Sequence, residues 1–166
     1  MASKHLALLR HAKSSWSDPD LRDHDRVLTP RGRRAAARMG AYIQEKGLVP
    51  DVVLCSSAVR ACQTLDLLGL PADTEVLVED ELYGASASDL IGRIRGLDDA
   101  TRSVLLIGHN PGIQDAAISL ARSPGAVGRE FPTAALADFR VSDLEWKDLG
   151  PGVAELIALT TPRSLD

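Results

Sequence analysis

The order of elements along the chain predicts an α/β fold: a three-layer sandwich with a mostly parallel central sheet, helices on both faces and an antiparallel edge strand. Three observations predict it. Strand-like and helix-like segments alternate four times. Short, almost continuously apolar runs such as His5–Leu9 and Ser103–Ile107 suit strands buried on both faces. The last two strands are joined too tightly for a helical crossover, so at least one of them pairs antiparallel at an edge.

Each element follows in turn. His5–Leu9 reads as a first strand that stops at Arg10-His11. Ala12 to Leu28 is polar, and its length as a connection points to function or disorder. Thr29 as N-cap and Pro30 in the first turn open a helix from Arg31 to about Lys46, closed by Gly47. Asp51–Cys55 is the second strand, and Ser56-Ser57 cap a helix that carries Arg60 and Thr64 and ends near Gly69. Glu75–Val78 is a third strand, followed by the acidic stretch Glu79–Ser88 and a helix over about Ser88–Arg95. Ser103–Ile107 leads through Gly108-His109-Asn110 to a helix from Pro111 to about Arg122. Ala134–Val141 and Val153–Thr160 are the closing strands, with a turn around Asp148–Gly152.

Composition bounds the function. A chain of 166 residues, 45% apolar and 25% charged, reads as one domain over residues 1–166 with a core of its own. No apolar run reaches the ~18 residues of a membrane span, and Met1–Arg10 lacks the apolar core of a leader peptide. The net charge of −4 argues against a nucleic-acid binder. Two cysteines, Cys55 and Cys62, make no disulfide scaffold and read as packing residues. The expectation is a cytoplasmic protein with no nucleic-acid or membrane partner; the oligomeric state is not readable.

In such sheets ligands bind beyond the carboxyl ends of the strands. There the sequence places Arg10 and His11, then Ser56, Ser57 and Arg60, then the acidic Glu79-Asp80-Glu81, and finally His109 and Asn110. Arginine forks and helix N-termini together suit a doubly charged anion, most plausibly phosphate. His5 and His24 read as ordinary strand and loop residues, and Arg31, Arg33, Arg34 and Arg38 as the solvated face of a helix. Trp16 and Trp146 read as either rim contacts or packing. There is no GxSxG, GxxxxGK[ST] or GxGxxG motif, and no metal-ligand spacing.

These residues resemble the histidine phosphatase superfamily. Leu8-Leu9-Arg10-His11-Ala12 is similar to its Arg-His-Gly signature, Ser56–Thr64 to its second motif and Gly108-His109-Asn110 to its third. Asp25–Gly32 is similar to the stretch before the family's first helix. The short length resembles the SixA-type phosphohistidine phosphatases. The resemblance implies a phosphoglycerate mutase-like fold, with His11 as nucleophile and Arg10, Arg60 and His109 holding the phosphoryl group, without metal or cofactor. It also makes Glu81 the first candidate for the general acid, since larger members of the family carry theirs after the equivalent strand. The expected activity is dephosphorylation of phosphohistidine on a protein partner, through a phosphohistidine intermediate. The alternatives are a broad phosphomonoesterase acting on small phosphorylated metabolites and a non-catalytic phosphate- or phosphoprotein-binding module. Ala12 stands where the family carries glycine; a positive φ there would cost on the order of 1–2 kcal/mol.

Overall fold

The computed structural model describes residues 3–166; Met1 and Ala2, part of the stretch read for a leader peptide, lie outside them. Its elements are β1 (Lys4–Arg10), α1 (Pro30–Glu45), β2 (Val52–Ser56), α2 (Val59–Leu67), β3 (Glu75–Glu79), α3 (Ala87–Arg95), β4 (Ser103–Gly108), α4 (Gly112–Leu120), β5 (Leu136–Val141) and β6 (Glu155–Thr160). The six strands form one sheet in the order β3-β2-β4-β1-β5-β6. Parallel pairing joins β3 to β2, β2 to β4 and β4 to β1, while β5 runs antiparallel to both β1 and β6. The expected antiparallel pair therefore stands at the edge. Of its two strands, β5 alone runs against the sheet, and β6 returns to the common direction.

Successive strand residues point to opposite faces, and the core divides accordingly. Leu6, Leu8, Leu54, Val104 and Leu106 pack on the face covered by α3 and α4, with Leu90, Ile94, Ile113 and Leu120. Ala7, Leu9, Val53, Cys55, Leu105 and Ile107 pack on the opposite face, against Met39, Ile43 and Ala61 of α1 and α2. A fully buried leucine at such a position contributes about 1.5–3 kcal/mol relative to leaving it in water. Trp146 belongs to the first of these cores, fully buried, with its indole N–H donating to the Thr101 carbonyl at 2.8 Å. Its role is packing. Trp16 is 77% exposed and lies flat over the Arg26 guanidinium, 3.5 Å from ring centroid to Cζ.

Several boundaries differ from the sequence reading, each for a local reason. Helix α2 begins at Val59 with Ala58 at its N-cap, so Ser56 and Ser57 are not its caps. Their hydroxyls are engaged by histidines instead. Helix α3 begins at Ala87, one residue early, because Ser86 and Asp89 close a reciprocal capping box. Helix α4 stops at Leu120, since the next residue, Ala121, turns extended and bridges to Ala154. Strand β5 starts only at Leu136, because Ala134 sits at φ 61° and donates its N–H to the carbonyls of Arg10 and His11. That strained alanine ties the β5 entry to the end of β1.

Among the described residues, no helix is long and apolar enough to cross a membrane.

Candidate active site

The carboxyl ends of β1, β2 and β4 bring the four expected side chains into one buried cluster. His11, Arg60 and His109 are each less than a tenth exposed. The His11 and His109 rings stand 5.0 Å apart, and Arg60 Nε lies 3.4 Å from His11 Nε2. Arg10 reaches the Phe131 carbonyl through Nη1 at 3.1 Å, the same oxygen that accepts from Asn110 Nδ2 at 3.0 Å.

The hydrogen bonds fix what each ring can do. His11 Nδ1 lies 2.7 Å from the Ala12 carbonyl oxygen, which can only accept. The proton is therefore on Nδ1, and the Nε2 lone pair faces Arg60. His109 Nε2 lies 2.7 Å from Ser56 Oγ, which also accepts from the Ala58 N–H at 3.2 Å. With one lone pair taken by Ala58, the Ser56 hydroxyl can still give its proton to His109 Nε2, the arrangement that places the proton of that ring on Nδ1. His109 Nδ1 and Arg10 Nε are both buried without a protein partner. In that arrangement two N–H groups are left for a ligand acceptor.

Burial is the largest cause holding both rings neutral. It pushes the His11 pKa down to about 4, with Arg60, Arg10 and Arg26 adding repulsion and the Ala12 carbonyl opposing it. The His109 pKa falls to about 3 by burial and by His11 and Arg60. A neutral imidazole beside guanidinium groups is both nucleophilic and placed in a positive field.

Ala12 fits without a left-handed backbone: among the described residues, only Ala134 and Asp143 take a positive φ outside glycine. Its N–H donates to Thr64 Oγ1 at 3.0 Å, and that hydroxyl donates to the Arg60 carbonyl at 2.7 Å. Two glycines let the surrounding segments close in. A Cβ on Gly32 would stand 2.1 Å from the Lys13 carbonyl oxygen, and one on Gly112 would stand 2.0 Å from that of Ala85.

The long first loop supplies a residue that the sequence reading did not single out. Asp23 accepts from Arg60 Nη2 at 3.0 Å, from Arg26 Nε at 3.0 Å and from the Tyr83 hydroxyl at 2.5 Å, and its carbonyl accepts from Arg60 Nη1 at 2.7 Å. The Tyr83 hydroxyl and then Arg60 hold the Asp23 carboxyl well below the usual carboxylate range. His24, taken from sequence as an ordinary loop residue, packs edge-on against Tyr83 with Nε2 2.9 Å from Ser57 Oγ. The signal is thin: four acids and a histidine in a polar loop, and one tyrosine after the third strand. Glu81 itself is exposed on the turn Asp80–Leu82, and among the described residues no site side chain hydrogen-bonds it. The same segment delivers Tyr83, whose ring stands 5.5 Å from that of His109. The same residues show no grouping of three or more His, Cys, Asp or Glu side chains suited to a metal ion.

Comparison with known proteins bears on the family and the fold. The family model of the histidine phosphatase superfamily (branch 1) matches residues 6–111, which span all three motifs. An uncharacterized protein of Mycobacterium tuberculosis is 37% identical over 162 residues, covering 93% of this chain and all of that one. A solved SixA structure from Nakamurella multipartitia superposes with a TM-score of 0.88 at 31% identity, covering 98% of both chains. The protein histidine phosphatase SixA complexed with tungstate superposes with a TM-score of 0.78 at 25% identity, over 98% of this chain and 99% of that one. Motifs, fold and relatives agree, and the chain belongs to the histidine phosphatase superfamily.

Proposed function

We propose that this protein is a phosphohistidine phosphatase that works through a covalent phosphoryl intermediate on His11. The observation that carries the reading is the His11 tautomer: Nδ1 is committed to the Ala12 carbonyl, so Nε2 is unprotonated and its lone pair meets only a long contact from Arg60 Nε, at 3.4 Å. In the proposed reaction Nε2 attacks phosphorus in line, the N–P bond forms as the bond to the leaving group breaks, and water then cleaves the N–P bond. Arg10, Arg60 and the N–H of His109 carry the charge on the non-bridging oxygens, the dominant contribution in phosphoryl transfer.

The preference for phosphohistidine rests on the acid. The carboxylate built into the site, Asp23, is held ionised by Tyr83 and Arg60 and has no proton to give near neutral pH. An alkoxide leaving group needs a positioned acid, whereas the imidazole of a phosphohistidine can leave already protonated. We take the substrate to be phosphohistidine presented on a protein surface.

Phosphate release from a phosphohistidine protein, from p-nitrophenyl phosphate and from small phosphometabolites tests the reading. The phosphohistidine protein should give the highest kcat/KM, and His11→Ala should abolish release from all of them. Equal or higher kcat/KM on the small esters would establish the phosphomonoesterase instead, and phosphoprotein binding unaffected by His11→Ala with no release would establish a binding module. Glu81→Gln assigns the proton donor. A loss of about 10²–10⁴-fold confined to esters makes Glu81 the acid, and no loss on any substrate makes it a solvated carboxylate.

A further inference from the structure

The two cysteines converge on the peptide that leads into Arg60. Cys55 is fully buried in β2, and Cys62 is half-buried in the first part of α2. As thiols, both donate to the same acceptor, the Ser56 carbonyl, with Sγ at 3.3 and 3.5 Å. Both belong to the same core, on the face of the sheet that α1 and α2 cover. Cys62 further lines a cleft of about 350 Å³ beside Leu65, Asp66, Leu70, Val76 and Val78. The cleft is open because α2 leaves the β3 edge uncovered, with Val76 and Val78 40% and 52% exposed. A peroxide, little larger than water, can therefore reach Cys62, while Cys55 lies behind it.

We propose that Cys62 is a peroxide-reactive thiol and that Cys55 resolves it into a reversible intramolecular disulfide, which disarms Arg60. The chemistry balances. The Cys62 thiolate attacks one oxygen of the peroxide, an S–O bond forms, the O–O bond breaks and hydroxide leaves. The Cys55 sulfur then displaces the hydroxyl from the Cys62 sulfenic acid, which departs with the Cys55 proton as water. Two thiols are oxidised, and one peroxide is reduced to two waters. Exposure sets this order, because Cys62 lines the cleft while Cys55 is fully buried; the closeness of the two thiols and burial push the Cys55 pKa up, and the same closeness brings that of Cys62 down to about 7.

The consequence follows from chain position. Bonding the sulfurs draws them together and removes both donors from the Ser56 carbonyl. The start of α2 must shift toward β2, and Arg60, two residues before Cys62, shifts with it. The contacts of Arg60 with His11 Nε2 and Asp23 are lost together.

The bond is independent of the phosphatase reading, but its effect on turnover rests on that reading, so mass and turnover are measured separately. The full-length protein is treated with hydrogen peroxide, alkylated with iodoacetamide and weighed intact, with phosphate release followed in parallel. The expected result is a monomer lighter by about 2 Da, unalkylated, with a Cys55–Cys62 linked peptide. Turnover should fall at least about tenfold and return with dithiothreitol. Cys62→Ser should keep its turnover under the same peroxide, and Cys55→Ala should accumulate a sulfenic acid at Cys62 that dimedone traps. Alkylation of Cys62 after peroxide, a sulfinic acid without the link, or a disulfide-linked dimer would overturn the proposal. A linked monomer with unchanged turnover would overturn the coupling to Arg60. Absence of turnover in the reduced protein would instead count against the phosphatase reading, with the mass still deciding the bond.

Discussion

Ser56 bears more of the site than a hydroxyl at a strand end usually does, and Ser56→Ala measures how much. The hydroxyl accepts from the Ala58 N–H at 3.2 Å and meets His109 Nε2 at 2.7 Å, in a position with no exposure. Its removal leaves two buried polar groups unpaired, at about 1–3 kcal/mol each. The larger consequence is for His109. With Nε2 no longer held as an acceptor, the ring can move its proton there, and the buried Nδ1 then presents a lone pair to the phosphate. The lost donor is a hydrogen bond to a charged oxygen, about 1.5–3 kcal/mol, which converts to roughly 10- to 100-fold in kcat/KM. The assay is steady-state hydrolysis of p-nitrophenyl phosphate together with tungstate inhibition, and ¹⁵N imidazole shifts report the tautomer. Inhibition should weaken by a similar factor, because tungstate takes the place of the phosphoryl group. A folded Ser56→Ala protein with kcat/KM within threefold of wild type, and with Nδ1 of His109 still protonated, would refute the assignment of that proton.

Asp23→Asn removes the negative charge that Arg60 and the Tyr83 hydroxyl share; because Asp23 is 46% exposed, water screens the loss, and KM should rise only about 3- to 10-fold. The two neutral histidines set the acid side of the pH response. Their folded pKa values, about 4 and about 3, lie below the 6.5 of an unfolded histidine, so the unfolded chain binds more protons as pH falls. Stability is then full above about pH 6.5 and declines toward pH 4, by up to roughly 1.4 kcal/mol per pH unit for each ring, in thermal melts across that range. Over the same window kcat/KM should show no loss attributable to His11 until about pH 4, and an imidazole titration by NMR locates the midpoint. Gly112→Ala, whose Cβ would meet the Ala85 carbonyl oxygen at 2.0 Å, should lower the melting temperature and the activity together. Gly92→Ala, in open space within α3, should raise stability by about 0.5–1 kcal/mol and leave activity alone.

The parts of this molecule legible in its sequence are those where one physical requirement dominates. The runs Leu6–Leu9 and Val104–Ile107 must be apolar on both sides because both faces of the sheet are covered, and they stand out for that reason. Arg10, His11 and His109 were readable because a strand end in this architecture is a fixed location. Ser56 and Ser57 were read as caps because serine before a helix usually is one. The tertiary demand of two histidines took their hydroxyls instead. Asp23 and His24 lie in a loop with no periodicity, where position is decided by partners far along the chain. Arg60 and Tyr83, 37 and 60 residues away, do the deciding. No local pattern encodes such a meeting.

The place of β1 in the sheet has a consequence for biosynthesis. β1 is an interior strand, and both its neighbours come from far along the chain: His5 waits for Ser103 on one side, and Lys4 for Val141 on the other. Until then a nascent chain carries an apolar ribbon with both hydrogen-bonding edges open, the condition under which intermediates aggregate or recruit chaperones. Pairings of such sequence separation also place folding toward the slow end for a domain of this size. Arg10 and His11 belong to that ribbon, and the backbone bonds that seat them come from Gly108 and Ala134. A nascent fragment that stops short of Ala134 therefore holds Arg10, His11, Arg60 and His109 and still lacks the backbone bonds from Ala134 to the Arg10 and His11 carbonyls, so the seating of these two residues is completed only when the β5 entry is made.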